Sequence, residues 1–416
     1  MLGLIFKSMR SRALPLALVT FTLMASMVLV LSIDRIQKAT EAGFSQSVSG
    51  VDLIIGPKSG SIEMVLYTVF HLGQPINNVT MKTMNEIESS PDIDWLVPIA
   101  LGDSHKGFRV VATNLPDYFE HMRYGGDLPI LFAEGDASSK ISAAIVGSTA
   151  AEKLGYKVGA ELFITHGSGN AIEKSHDDFA FQISGVLAQT GTPIDQAIFV
   201  NLRGYELVHL GWQSGTKVFG VNNVNIESLP DHALDPKTVT AAFVGLKSKF
   251  KIFPFIREIN KFPKEPISAI IPGVALAELW SIVGLVESAF NLLSWMIILI
   301  CLIAIVTLTI ASLDSRKREM TILRANGASL FYLARLVIFE SLVIGLTAVS
   351  GAVLFVTIAT FFAEHQLSSM LGIKLQTSFL SLDELIVFGI ILGAGLLSSL
   401  IPAAFVYRRN LHQGLS

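Results

Sequence analysis

VESAFNLLSWMIILICLIAIVTLTIAS, residues 286–312, has one charged side chain in 27 positions, Glu287 in its first turn. At 1.5 Å per residue such a helix is about 40 Å long, more than the ~30 Å of hydrocarbon that a spanning helix must cross. Three further stretches have the same character, from Ala13 to Ile33, from Leu336 to Phe362 and from Leu385 to Tyr407. One such run fits the core helix of a large soluble protein; four, each nearly free of charge, predict four spans. The composition agrees, with 51% of the 416 residues hydrophobic and 16% charged.

Basic residues set the expected orientation. Lys7, Arg10 and Arg12 precede the first span, Arg316, Lys317, Arg318 and Arg324 follow the second, and Arg408 and Arg409 follow the fourth. The connection from Ala363 to Glu384 carries Glu364, Asp383 and Glu384 against one basic residue, Lys374. The positive-inside rule then puts both terminal segments and the loop between spans two and three in the cytoplasm. Roughly 240 residues between the first two spans lie on the other side of the membrane, too many for a simple connection between spans. The first span, about 20 residues long and without a small-x-small site before Asp34 and Arg35, reads as a retained signal anchor, not a cleaved leader.

The expected fold is a membrane α-helical protein with four transmembrane helices and a large α+β periplasmic domain. Its divisions are a cytoplasmic segment, first span and stalk (1–49), a periplasmic domain (50–275), a second stalk and span (276–314), and a cytoplasmic element (315–335). The third span (336–362), a periplasmic loop (363–384), the fourth span (385–407) and a cytoplasmic tail (408–416) follow. Asp34–Ser49 keeps helical spacing through Ile36, Ala39, Ala42 and Phe44, which predicts the first stalk. Within the outer domain, Val51–Ile55, Phe108–Thr113, Ala143–Val146, Glu161–Thr165, Phe181–Leu187 and Ala197–Asn201 read as strands. Met81–Ser89, Ser148–Leu154 and Leu202–Leu210 read as helices, the second with Ser148 as its cap, and another helix is expected after Pro272. A boundary near Asp103 would separate a distal lobe, 103–220, from a membrane-proximal part. The single cysteine, Cys301, falls inside the second span, so no disulfide is expected.

Several chemistries lack their residues. Gly56-Pro57-Lys58-Ser59-Gly60-Ser61 has the wrong spacing for a phosphate-binding loop and reads as a turn. No H-E-x-x-H, G-x-S-x-G or paired C-x-x-C occurs. His71, His105, His121, His166 and His176, even with Glu173, Asp177 and Asp178 near the last two, form no fixed-ligand motif and read as solvated surface residues. The spans carry almost no charge beyond Glu287 and Glu340, which favours a lever or scaffold over a polar path. No catalytic residue, metal site, bound cofactor or nucleic-acid partner is expected.

The densest local signal is DSRKREMTILRANGAS, residues 314–329. The second span runs into it without a breaker; Asn326-Gly327 ends the helix, Gly327 supplying a left-handed cap, and Ser329 opens the next helix with Leu330, Leu333 and Val337. Arg318, Glu319 and Arg324 beside apolar Met320, Ile322 and Leu323 make a docking element for a partner. Gly284 and Ser288, with Ala289, put small side chains at helical spacing where two copies can approach.

The stretch from Arg318 to Ser329, with Leu336–Gly345 after it, resembles the R-E-I-x-x-L-R-A-x-G-A-S signature of FtsX-like permeases, found in the MacB, LolC/LolE and FtsX branches of the type VII ABC transporters. Gly147-Ser148-Thr149-Ala150-Ala151-Glu152-Lys153-Leu154-Gly155 with Val158-Gly159, and Phe181–Leu187 followed by Asp195 and Phe199-Val200, resemble elements of the MacB periplasmic core domain. Pro402 and Ala403 before Arg408 also resemble the family's last span. The segment Ile54–Asn78 matches nothing in that pattern. The resemblance implies a non-catalytic permease subunit acting by mechanotransmission. Two copies of a cytoplasmic ATPase holding the ATP and Mg would dock on Arg318, Glu319, Met320, Ile322, Leu323, Arg324 and Gly327. A second permease chain, more readily a homodimer through Gly284 and Ser288, the lipid bilayer, and a periplasmic lipoprotein or adaptor complete the expected partners. Lipoprotein extraction, export through an adaptor, an FtsX-like scaffold for cell-wall hydrolases, and metal or solute uptake stay open as functions, the scaffold being disfavoured by the large outer domain.

Overall fold

The computed structural model describes residues 13–45, 47, 49–73, 75–166, 179–210, 212–213, 216–217, 234–315, 322, 325–371, 381–382, 384–386, 388–390, 392–393 and 396–397. The chain divides into two compact units. One comprises 1–39, 284–365 and 375–416; the other comprises 40–283 and 366–374.

The second unit is built on one mixed sheet of eleven strands: β1 (Leu53–Pro57), β2 (Ile93–His105), β3 (Phe108–Thr113), β4 (Phe132–Gly135), β5 (Ala143–Val146), β6 (Glu161–Leu162), β7 (Thr165–His166), β8 (Phe181–Leu187), β9 (Ala197–Asn201), β10 (Ala241–Leu246) and β11 (Ile267–Ile270). Their order is β11-β1-β10-β2-β3-β9-β5-β8-β4, with β7 on β2 and β6 on β8. Only β9 on β3 and β8 on β5 run parallel. Helices cover both faces. Leu53, Ala242, Val110, Ile198 and Ala144 point to one side, against α3 (Met81–Glu88), α5 (Ser148–Leu154), α6 (Leu202–His209) and α7 (Ile252–Ile259). Ile54, Phe243, Val111, Phe199 and Ile145 point to the other, against α2 (Ser61–Thr68) and α4 (Leu115–His121). Successive strand residues face opposite sides, so both sides of the sheet are dry and its central strands read as unbroken apolar runs.

The expected strands at 108–113, 143–146, 181–187 and 197–201 and the helix at 148–154 form over those residues, and Leu202–His209 ends one residue before the expected Leu210. β1 sits two residues later than expected, because Asp52 acts as its terminus. Its amide donates to the Val244 carbonyl and its carboxylate accepts the Leu246 amide. Ser148 is not a cap. Gly147 holds that position, since a Cβ there would meet the Ile194 carbonyl oxygen at 2.4 Å. The predicted cut at Asp103 crosses β2, whose strand pairs with β10 on one stretch and with β3 and β7 farther on.

The surface reading of the histidines fails for two of them. His71 is buried against the ring of Phe199, and burial, with Arg109 adding to it, lowers its pKa to about 4. His105 is buried too, its Nε2 2.8 Å from the Tyr156 hydroxyl. His176 lies outside the described residues. No group of side chains fit for a metal occurs among the described residues.

The first unit contains α1 (Ala13–Ser45), α8 (Pro272–Ser315) and α9 (Leu330–Leu371) over the parts assigned to it. Three stretches, Ala13–Ile36, Pro272–Ile300 and Ile338–Phe362, are long and apolar enough to cross a membrane. Most of the predicted fourth span, 385–407, lies outside the described residues. α1 is helical to Ser45, four residues short of the predicted Ser49.

Candidate functional site

Two features of the helical unit have functional character: the turn between α8 and α9, and a buried ion pair near the start of the segment after Ser381.

α8 is described to Ser315, and Arg318, Glu319, Met320, Leu323 and Arg324 lie outside the described residues. What is described of the turn follows the sequence reading. The amide and side-chain nitrogens of Asn326 both donate to the Ile322 carbonyl, at 3.1 and 2.8 Å, and close a helical turn there. Gly327 has φ 89°, the left-handed conformation that a side chain resists. The Ser329 hydroxyl accepts from the Tyr332 amide at 3.2 Å, as an N-cap of α9. Ile322 is 58% exposed, an apolar side chain on the loop side of the capped turn.

The ion pair was not among the predicted site residues. Arg35 Nε lies 2.8 Å from Glu384 Oε1, with side chains 9% and 4% exposed, and a second nitrogen donates to Oε2 at 3.4 Å. Glu384 also accepts from the Ser381 amide at 2.9 Å, while its own amide donates to the Ser381 hydroxyl at 3.2 Å. That reciprocal pair is a capping box, so one carboxylate both starts a helix and ties α1 to it. The Ser381-Leu382-Asp383-Glu384 spacing carried that signal; the partner 349 positions away did not show in sequence.

Small residues bring the helices of this unit together. Ala348 and Ala352, one turn apart on α9, are buried with Leu23, Met27, Leu31, Ile298, Val356 and Phe388. A Cβ on Gly351 would stand 2.7 Å from Met24 Sδ. The predicted dimer residues have no such role within the chain. A Cβ on Gly284 would meet open space, and the exposed Ser288 hydroxyl donates back to the Gly284 carbonyl at 2.8 Å.

In the sheet domain the motif glycines have physical reasons. Gly147 passes against the 193–196 turn, and Gly155 ends α5 at φ 68° with its amide on the Ala151 and Glu152 carbonyls. Asp195 is buried and accepts from the Thr190 and Gly191 amides and the Thr190 hydroxyl. Burial raises its pKa, against the lowering effect of those donors.

Long apolar helices joined by a capped turn, with a helix-covered sheet domain inserted between the first two, define a membrane permease with a large extramembranous domain. The sequence pattern of the MacB-like periplasmic core domain matches residues 14–243, more than half of the chain, and that of the FtsX-like permease C-terminal region matches 291–411. The chain belongs to the MacB/FtsX-like ABC transporter permeases. None of the curated proteins compared with it is similar. Two solved structures are similar to part of it. The periplasmic region of MacB from Actinobacillus actinomycetemcomitans is 7% identical at a TM-score of 0.34, over 56% of this chain and 94% of that one. The extracellular domain of the noncanonic ABC-type transporter YknZ from Gram-positive bacteria is 12% identical at 0.30, over 53% and 98%.

Proposed function

We propose that the chain is the membrane subunit through which a separate cytoplasmic ATPase drives movement of the sheet domain. Two ATPase copies and a second permease chain, a homodimer meeting at Gly284 and Ser288, form the working assembly. ATP and Mg belong to the ATPase, and this chain is non-catalytic. The sheet domain acts in the periplasm on a lipoprotein or an exported substrate, with the terminal segments cytoplasmic and the spans in the bacterial inner membrane. The divisions proposed from sequence, including a coupling element at 315–335, carry over to this reading.

One observation carries it: between helices of 44 and 42 residues lies a capped turn at Asn326–Ser329, beside which Ile322 is exposed. An exposed apolar side chain beside a rigid break is what a docking partner covers. The spans' shortage of charge supports a lever over a permeation path. The test is Leu323→Asp, three residues before Asn326. A charge buried without a partner at that contact costs several kcal/mol, so the ATPase should no longer co-purify while the permease still inserts. Wild-type recovery of the ATPase with this variant overturns the docking assignment.

A further inference from the structure

Phe250 is 96% exposed and Phe253 75% exposed, on the turn that leads into α7 and on its first turn. α7 is sharply two-sided, burying Phe255 and Ile259 against the sheet and leaving Phe253 and Arg257, one turn apart, outward. From Lys247 to Lys264 the chain carries six basic residues (Lys247, Lys249, Lys251, Arg257, Lys261, Lys264) and one acidic, Glu258, in a protein of net charge −3. Three of these cations also have local partners: Lys247 donates to the Pro91 carbonyl, Lys251 pairs with Asp92 and Lys264 with Glu86.

The strand register locates the patch. Leu53 pairs with Val244, Ile54 with Ile270, and Leu246 with Ile93. One end of the sheet therefore holds Asp52, where the chain arrives from α1, Ile270, where it departs for α8, and Leu246, where it departs for Phe250. After Val274, which is 62% exposed, the next exposed large apolar side chains on α8 are Ile282 and Val283, and the run continues from there. From Ile282 to Ser312 is about 46 Å of helix, well above ~30 Å of hydrocarbon. Residues 272–281 add only ~15 Å of helix between the last strand and that apolar run. Exposed aromatic side chains ringed by Lys and Arg are what an anionic interface accepts.

We propose that Phe250 and Phe253, with Lys249 and Arg257 beside them, rest the sheet domain on anionic phospholipid at the bilayer surface. The rings sit among headgroups and the cations meet phosphates. This rests on the chain being membrane-embedded and is independent of ATPase docking, so either can fail alone.

The experiment places a nitroxide on Phe250→Cys or Phe253→Cys in the full chain carrying Cys301→Ala, reconstituted in phosphatidylcholine vesicles with or without phosphatidylglycerol. Val158→Cys, on a loop near Tyr156 and the far end of β2, is the control. With phosphatidylglycerol, relaxation by oxygen relative to a water-soluble nickel chelate should be several-fold higher at 250 and 253 than at 158. Adding Lys249→Glu, an exposed change that leaves the core intact, should lower that ratio. Ratios equal to the control in both lipids overturn the proposal. So does a label shielded from both reagents, which would assign the patch to a protein contact.

Discussion

Phe199 in the sheet domain is enclosed on every side, by Tyr118, Phe119 and the ring of His71. Phe361 in α9 stands 70% exposed along a span. The two regions use the same apolar residues under different rules. The sheet domain removes them from water, and its two core layers contain the stabilising area. The helical unit leaves many of them for lipid, which is as apolar as they are, so close packing at Ala348 and Ala352 and the Arg35–Glu384 pair have to supply specificity.

The sharpest break of that comparison is paired. Phe199→Ala should cost about 3–5 kcal/mol in thermal unfolding of the detergent-solubilised chain, and Phe361→Ala close to nothing. Comparable losses would mean that the spans are also held by burial from water. Next, Glu384→Ala strands Arg35 and removes a cap, for a loss of about 3 kcal/mol. Arg35→Met combined with Glu384→Gln removes both charges, keeps a capping side chain and should cost less than the single change. An innocuous Glu384→Ala would leave apolar packing as the sole tie between these helices.

A pH effect sharpens the sheet side. His71 has a folded pKa near 4 against an ordinary ~6.5, so the unfolded chain binds the extra proton between those values. Its penalty is absent above about pH 6.5 and grows as the pH falls, reaching about 2 kcal/mol at pH 5. His209 works in the opposite sense. Burial lowers its pKa, but Asp103, 3.2 Å away, together with the Tyr205 carbonyl and Glu206 raises it overall, so its contribution is lost as the pH rises. His71→Asn, with a residue that tolerates φ 54°, should remove the acid-sensitive part alone, read as the melting shift between pH 7 and pH 5 in each protein. The smallest effect expected is from Ser288→Leu, a few-fold fall in dimer content by native mass spectrometry; unchanged dimer would move the interface away from that face.

Sequence made three of the four expected spans legible because hydropathy needs no partner to be read. The capped turn at Asn326, Gly327 and Ser329 was legible for the same reason, being local chemistry. β2 and β10 were not. Pro98 sits in the middle of β2, facing Ala242, and argues against a central strand; its carbonyl is held by the Thr113 hydroxyl. Runs buried on both faces also lack the alternation by which strands are recognised. The burial of His71 and the Arg35–Glu384 pair depended on residues far away in the chain, and no spacing rule reaches them.

α8 leaves β11 after one residue and continues as a single helix for 44 residues. Each residue of such a helix turns it by about 100°, so every insertion resets the rotational phase of the residues beyond it. One alanine inserted after Ser281 would swing every later side chain by that angle relative to the strand that leads into it. Seven inserted residues would restore the phase to within about 20° while lengthening the rod by about 10 Å. Azimuth and reach are thus separable in this molecule, and an insertion series would show which of the two the sheet domain obeys.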